Sequence, residues 1–230
     1  MLLAPMMTLA VSVPAQAGPI ARGGWGNEPG GMSQSAICGP HAVVTAVWTV
    51  VDAESMKQIE IFCTPLNPAG VPTGPQSGYP GGAIIIGQGL NYNQAIPYLH
   101  KMQCRPGEMV GGFTAGKIRV VNNGLYEQLP WNSYPGCHPP GSSNIDILYY
   151  PPQSSGGRLV EVIPYNAADP TNTCLPSEAA VGLWGRADPT HILTFGVLCQ
   201  SIGELTPPSF CAQHPGACIK QVLEPPPTQH

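Results

Sequence analysis

Three kinds of residue in this 230-residue chain have types and spacings suited to chemistry: cysteines beside histidines, paired carboxylates, and tryptophans beside polar groups. Cys38 precedes His41 by three positions and Cys137 adjoins His138, which would suit a thiol nucleophile with a neighbouring base. A nucleophilic cysteine must be free and have a lowered pKa, and both of these cysteines also hold places in a repeat that commits them to disulfides. Cys211-x2-His214-x3-Cys218 supplies three of the four ligands a structural zinc requires, with no fourth nearby. A small disulfide loop accounts for it better. Asp52 and Glu54 are the nearest approach to the acid and base pair of a glycosidase, whose carboxyl groups stand about 5–9.5 Å apart. No second acidic cluster supports them, and they read as solvated loop carboxylates. The expectation is a chain with no catalytic residues, no metal and no cofactor.

The tryptophans are different. Trp48 stands near Asp52 and Glu54, and Trp184 near Arg186, Asp188 and His191, at the same offset from a preceding cysteine. An indole covers the apolar face of a sugar ring while acidic, amide or guanidinium groups hold its hydroxyls. Trp184, Arg186, Asp188, Trp48, Asp52 and Glu54 are therefore the candidate ligand-binding set. The competing reading places both indoles in the core.

These residues need elements to hold them, and a triplication supplies those elements. Cys38-Gly39-Pro40, Cys104-Arg105-Pro106 and Cys174-Leu175-Pro176 each open a unit, followed by Val43-Val44, Met109-Val110 and Ala179-Ala180, then by Ala46, Gly112 and Gly182. Cys63, Cys137 and Cys199 close the units, and Gly23-Gly24, Gly81-Gly82 and Gly156-Gly157 precede them. Ile59, Ile61 and Cys63 alternate with Gln58, Glu60 and Phe62, as in a strand with one buried face, and Phe195, Val197 and Cys199 repeat the pattern. Val43 to Val51 is β-branched and aromatic, again strand-like. One opening and one closing cysteine per unit give the expected pairs Cys38–Cys63, Cys104–Cys137 and Cys174–Cys199, with Cys211–Cys218 in the tail. The small residues Ala46, Gly112 and Gly182 are expected where the units converge on a common axis.

Composition agrees with an all-β chain. Glycine and proline number 28 each, and in helix interiors they cost about 1 and 3 kcal/mol per position. Hydrophobic residues still reach 43%, too many for a disordered chain. Charged residues make up 10%, the net charge is −4 and no basic run occurs, which excludes a nucleic-acid partner that needs phosphates neutralised. Residues 1–17 are apolar and end in the small-x-small sequence Ala15-Gln16-Ala17, the pattern of a secretory signal, although no Lys or Arg precedes the apolar run. No later segment is apolar for long enough to span a bilayer. Eight cysteines then read as four disulfides in a secreted, extracellular protein.

The unit Cys-x-Pro-x3-Val-x-Gly, a strand pair and a closing Ile-x-Ile-x-Cys resembles the repeats of the vitelline membrane outer-layer protein family. The resemblance covers the three repeat cores. It implies a β-prism of three Greek-key sheets around a pseudo-threefold axis, an architecture shared with jacalin-related lectins, and carbohydrate-related binding on an extracellular coat. The expected organisation is a leader at 1–17, one prism domain at 18–202 with repeats at about 23–66, 81–139 and 156–202, and a Pro-rich tail at 203–230. Two functions follow: a non-catalytic module that binds glycans or glycan-bearing surfaces, or a structural component packed against other coat proteins.

Overall fold

The computed structural model describes residues 18–25, 30–51, 56–73, 84–87, 99–122, 125–144, 146–147, 159–163, 173–189 and 191–208. Residues 1–17, Asp52, Glu54 and the tail from 209 onward, with Cys211 and Cys218, lie outside them. The strands are β1 (Ile20–Trp25), β2 (Met32–Ile37), β3 (Ala42–Val51), β4 (Met56–Pro65), β5 (Ile84–Gly87), β6 (Leu99–Gln103), β7 (Met109–Asn122), β8 (Leu125–His138), β9 (Asp146–Ile147), β10 (Leu159–Ile163), β11 (Glu178–Ala187) and β12 (Ile192–Ser201). A single helical turn, α1 (Ile202–Leu205), follows β12.

The strands form three antiparallel four-stranded sheets: β5-β4-β3-β6, β10-β7-β8-β9 and β1-β12-β11-β2. In the first two, a hairpin and a third strand run consecutively, and the fourth strand returns to lie beside the first. This is the Greek-key order 4-1-2-3. The third sheet has the same order once β11 and β12 are followed by β1 and β2, so strands from the start of the chain complete the last sheet. The architecture is the β-prism of three related sheets that the resemblance implied. The sheets do not coincide with the sequence units, however. Each takes its central hairpin from one unit and flanking strands from the chain beyond it; β5 and β6, which follow Gly81-Gly82, complete the sheet of β3 and β4.

The inward faces merge into one core. Val47, Phe113 and Leu183, each nine places after an opening cysteine, are buried in it, and the Phe113 and Phe195 rings meet edge-on at 5.9 Å between centroids. A second cluster gathers Val43, Met109 and Ala179, the residues five places after the cysteines, with Leu66 and Leu205. The expected pairs Cys38–Cys63, Cys104–Cys137 and Cys174–Cys199 are all present, with Cα separations of 5.7, 5.5 and 5.4 Å.

Each hairpin carries a β-bulge at the same place, between Val44 and Ala46, between Val110 and Gly112, and between Ala180 and Gly182. A bulge leaves its extra residue outside the hairpin ladder. The carbonyls of these extra residues accept the backbone N–H of the next opening cysteine: Cys104 donates to Thr45 (2.9 Å), Cys174 to Gly111 (2.7 Å) and Cys38 to Val181 (2.7 Å).

The small residue after the third bulge has a local cause rather than an axial one. Gly182 faces β2 of its own sheet, opposite Ile37, and a Cβ there would lie 2.2 Å from the Ala36 carbonyl oxygen. Gly182→Val should therefore displace β2 and lower stability by about 1–3 kcal/mol, read as a lower denaturation midpoint at unchanged slope. Peptide mapping without reductant should recover Cys38–Cys63, Cys104–Cys137 and Cys174–Cys199. Removing either 25-residue bridge by paired Cys→Ala substitution should cost roughly 3 kcal/mol, read by the same denaturation.

Candidate functional site

The third sheet ends in the β11–β12 turn, and the Asp188 side chain builds that turn. Its Oδ1 accepts the His191 backbone N–H at 2.8 Å, while the Asp188 N–H donates to the His191 carbonyl at 3.0 Å. An aspartate side chain serves here because it accepts a bond that backbone would otherwise have to accept. The second carboxylate oxygen, Oδ2, stands 3.5 Å from His191 Nε2, and both side chains remain partly exposed. Arg186 is half-buried two residues before, between Ser33 on β2 and Thr194 on β12.

Gly30 and Gly31, just before β2, lie at the same end. They have φ of 111° and 66°, a region that disfavours side chains. A Cβ on Gly31 would stand 2.6 Å from Leu193 Cδ1 and 2.8 Å from the Ala187 carbonyl oxygen, so this backbone lies directly against the root of the Asp188 turn.

Trp184 is neither in the inner core nor a free platform. Its indole Nε1–H donates to the Arg22 carbonyl at 3.2 Å, and the ring lies over Gly196, where a Cβ would come within 2.4 Å of Nε1. It is held half-buried on the outer face, against the second apolar cluster. The strand beneath is held by the nearly buried Arg22–Glu178 ion pair at 2.8 Å. Trp48 occupies the matching place on the first sheet. The Lys101 ammonium lies 4.1 Å from its ring centroid and the Phe62 ring 4.3 Å away at 47°. The candidate residues thus divide: Trp184, Arg186 and Asp188 share one sheet, Trp48 belongs to another, and Asp52 and Glu54 are outside the described residues.

The outer face of β4 departs from the one-sided alternation read in the sequence. Gln58 and Glu60 are as buried as Ile59 and Ile61 on the opposite face. Glu60 lies across the ladder from Trp48, which in turn lies across from Lys101. Burial pushes the Glu60 carboxyl up to about 7, against a smaller opposing pull from the Lys101 charge, and among the described residues its Oε2 has no hydrogen-bond partner. Burial also holds His100 and His138 below the usual imidazole range. Sequence reasoning missed Glu60, Gly31 and the role of His191; the Asp-x-x-His spacing was the one visible signal.

No protein-family model matches the chain, and a search of curated proteins finds none similar in sequence. Among solved structures, the chain is similar to a mannose-specific jacalin-related lectin from Morus nigra in complex with mannose (TM-score 0.48, 11% identity, 83% of this chain and 99% of that one). It is similar also to the Calystegia sepium agglutinin (0.47, 13%, 83% and 99%) and to wild-type Malaysian banana lectin (0.43, 17%, 80% and 99%). The order of strands in the three sheets by itself makes the fold a β-prism.

The buried Glu60 has a pH signature. Its folded pKa lies above the unfolded value, so its contribution to stability is fully present below about pH 4.5 and is lost as pH rises through about 7. Glu60→Gln should abolish that loss: melting curves of wild type should fall in midpoint between pH 5 and pH 8 by more than those of the variant.

Proposed function

We propose that this chain is a secreted, non-catalytic carbohydrate-binding module whose ligand sits at the turn end of the third sheet. The observation that carries this reading is the Asp188 carboxylate, fixed by the His191 N–H on a tight turn beside the left-handed Gly30-Gly31 backbone. Sugar hydroxyls both donate and accept, so a site for them needs an anchored acceptor close to donors. Asp188 Oδ2 provides the acceptor, and Arg186 and His191 provide donors. Charge-assisted bonds of this kind are the stronger ones. Trp184 serves by holding β1 against β12 rather than by stacking on the ligand. The mannose named for the Morus nigra lectin makes mannosides the first sugars to try.

Export is supported by three disulfides, which persist in oxidising compartments. In this reading 1–17 is a leader, 18–202 one domain and 203–230 a tail closed by Cys211–Cys218. The three Greek-key sheets, each opened by one cysteine of the repeat, fit kinship with the vitelline membrane outer-layer repeats. A second reading, a coat component packed against its neighbours, is favoured by the exposed apolar residues Ile20, Met32 and Ile37 on β1 and β2. These strands form both edges of the third sheet, and uncovered edges are where chains associate.

A glycan array separates the two. Specific hits support the module, whereas a silent array with self-association at high concentration supports the coat. Asp188→Asn keeps an oxygen for the His191 N–H and removes the charge. It should weaken glycan binding by about tenfold with an unchanged melting temperature.

A further inference from the structure

At the opposite end of the prism, the open ends of β3 and β4 and the turn that follows Cys104 enclose a cleft of about 280 Å³. That is just below the range of drug-sized pockets, roughly 300–1,000 Å³, and suits a single small ring. The Cys–bulge hydrogen bonds gather the open ends of all three hairpins, so this cleft lies a ten-residue strand, about 30 Å, from the Asp188 turn.

Thr45 and Thr64, both buried, line the cleft, with their hydroxyls joined at 2.6 Å. A hydroxyl has one proton and two lone pairs, and this bond takes only one of the three at Thr64. Pro72 and Pro106 supply apolar wall, and Thr73 and Arg105 stand exposed at the rim. The charge balance excludes an anion. Arg105 already faces Asp146 at 3.1 Å and Glu108 at 4.0 Å, so the three groups together are net negative. A metal ion is no better served, because among the described residues no group of three His, Cys, Asp or Glu side chains stands together to hold one.

We infer that this cleft is a binding site for a neutral polyhydroxylated ring, a pyranose in size and chemistry. The proline walls take its C–H face, and the Thr64 hydroxyl and the Arg105–Glu108 pair take its hydroxyls. The site is independent of the Asp188 turn. One chain with both sites presents sugar-binding surfaces at both ends of the prism.

Amide NMR of the full chain titrated with the methyl glycosides of glucose, mannose and galactose tests this. At least one glycoside should shift the Thr64, Thr73, Gly107 and Glu108 amides in a saturable way. Thr73→Trp, which fills the mouth from an exposed position without touching the Thr73 N–H bond to Pro65, should abolish those shifts. Thr64→Val should weaken binding roughly five- to tenfold. Asp188→Asn should leave this site unchanged, which separates its failure from failure of the site at the turn. Absence of shifts with all three glycosides, shifts that survive Thr73→Trp, or equal shifts with sodium sulfate would overturn the proposal.

Discussion

At each junction between neighbouring sheets a single cysteine performs two tasks, and the closure of the prism depends on both. Its backbone N–H ends the ladder of one sheet on the carbonyl that a bulge has displaced, and its sulfur reaches the closing strand of the next sheet. Neither task replaces the other. Left unmade, the hydrogen bond would strand a buried carbonyl at a cost of about 1–3 kcal/mol. The disulfide adds roughly 3 kcal/mol by restricting the unfolded chain. A proline two places after each cysteine keeps the chain from continuing in the strand it has just left, so the corner turns where the bond is made. The shared apolar core then packs the three sheets against one another.

The cysteine pairs and the inward strand positions were legible because the repeat states them directly. Ile59, Ile61 and Cys63 point inward as their spacing requires. The exchange of strands between units was not legible. A Gly-Gly pair marks a turn, but a turn does not declare which sheet its following strand will join; β5 and β6 pair with β4 and β3, behind them in the chain. Gln58 and Glu60 expose a second limit. Alternation reports the face on which a side chain lies, but not whether that face is covered. A sequence cannot separate a solvated glutamate from one whose carboxyl is desolvated beside Trp48 and Lys101.

The tryptophans were legible in position but not in what each ring rests on. Both do fall at equivalent places, but each is held by a different neighbour: Trp184 by the Arg22 carbonyl and the bare Gly196 backbone, Trp48 by Lys101 and Phe62. Gly196 is what lets an indole lie flat on the third sheet. Its counterpart on the first sheet, Glu60, carries a side chain, and there the ring meets a phenylalanine and an ammonium instead. One residue of difference on the adjacent strand decides what the aromatic ring can rest on.

The same divergence under a repeated backbone governs the ligand question. Thr64, His138 and Gln200 each follow a closing cysteine. Thr64 bonds across to the bulge residue Thr45 and leaves a cleft above the pair. His138 is buried, with Nδ1 on the Pro139 carbonyl. After Gln200 the chain turns into α1, whose Leu205 carbonyl meets His41 Nδ1 at 2.8 Å and whose Leu205 side chain joins the second cluster. Backbone geometry is repeated three times because the corners demand it. Side chains at the ends of the hairpins are under no such demand, so the three corners differ: one has a cleft, one a buried imidazole and one a helical turn.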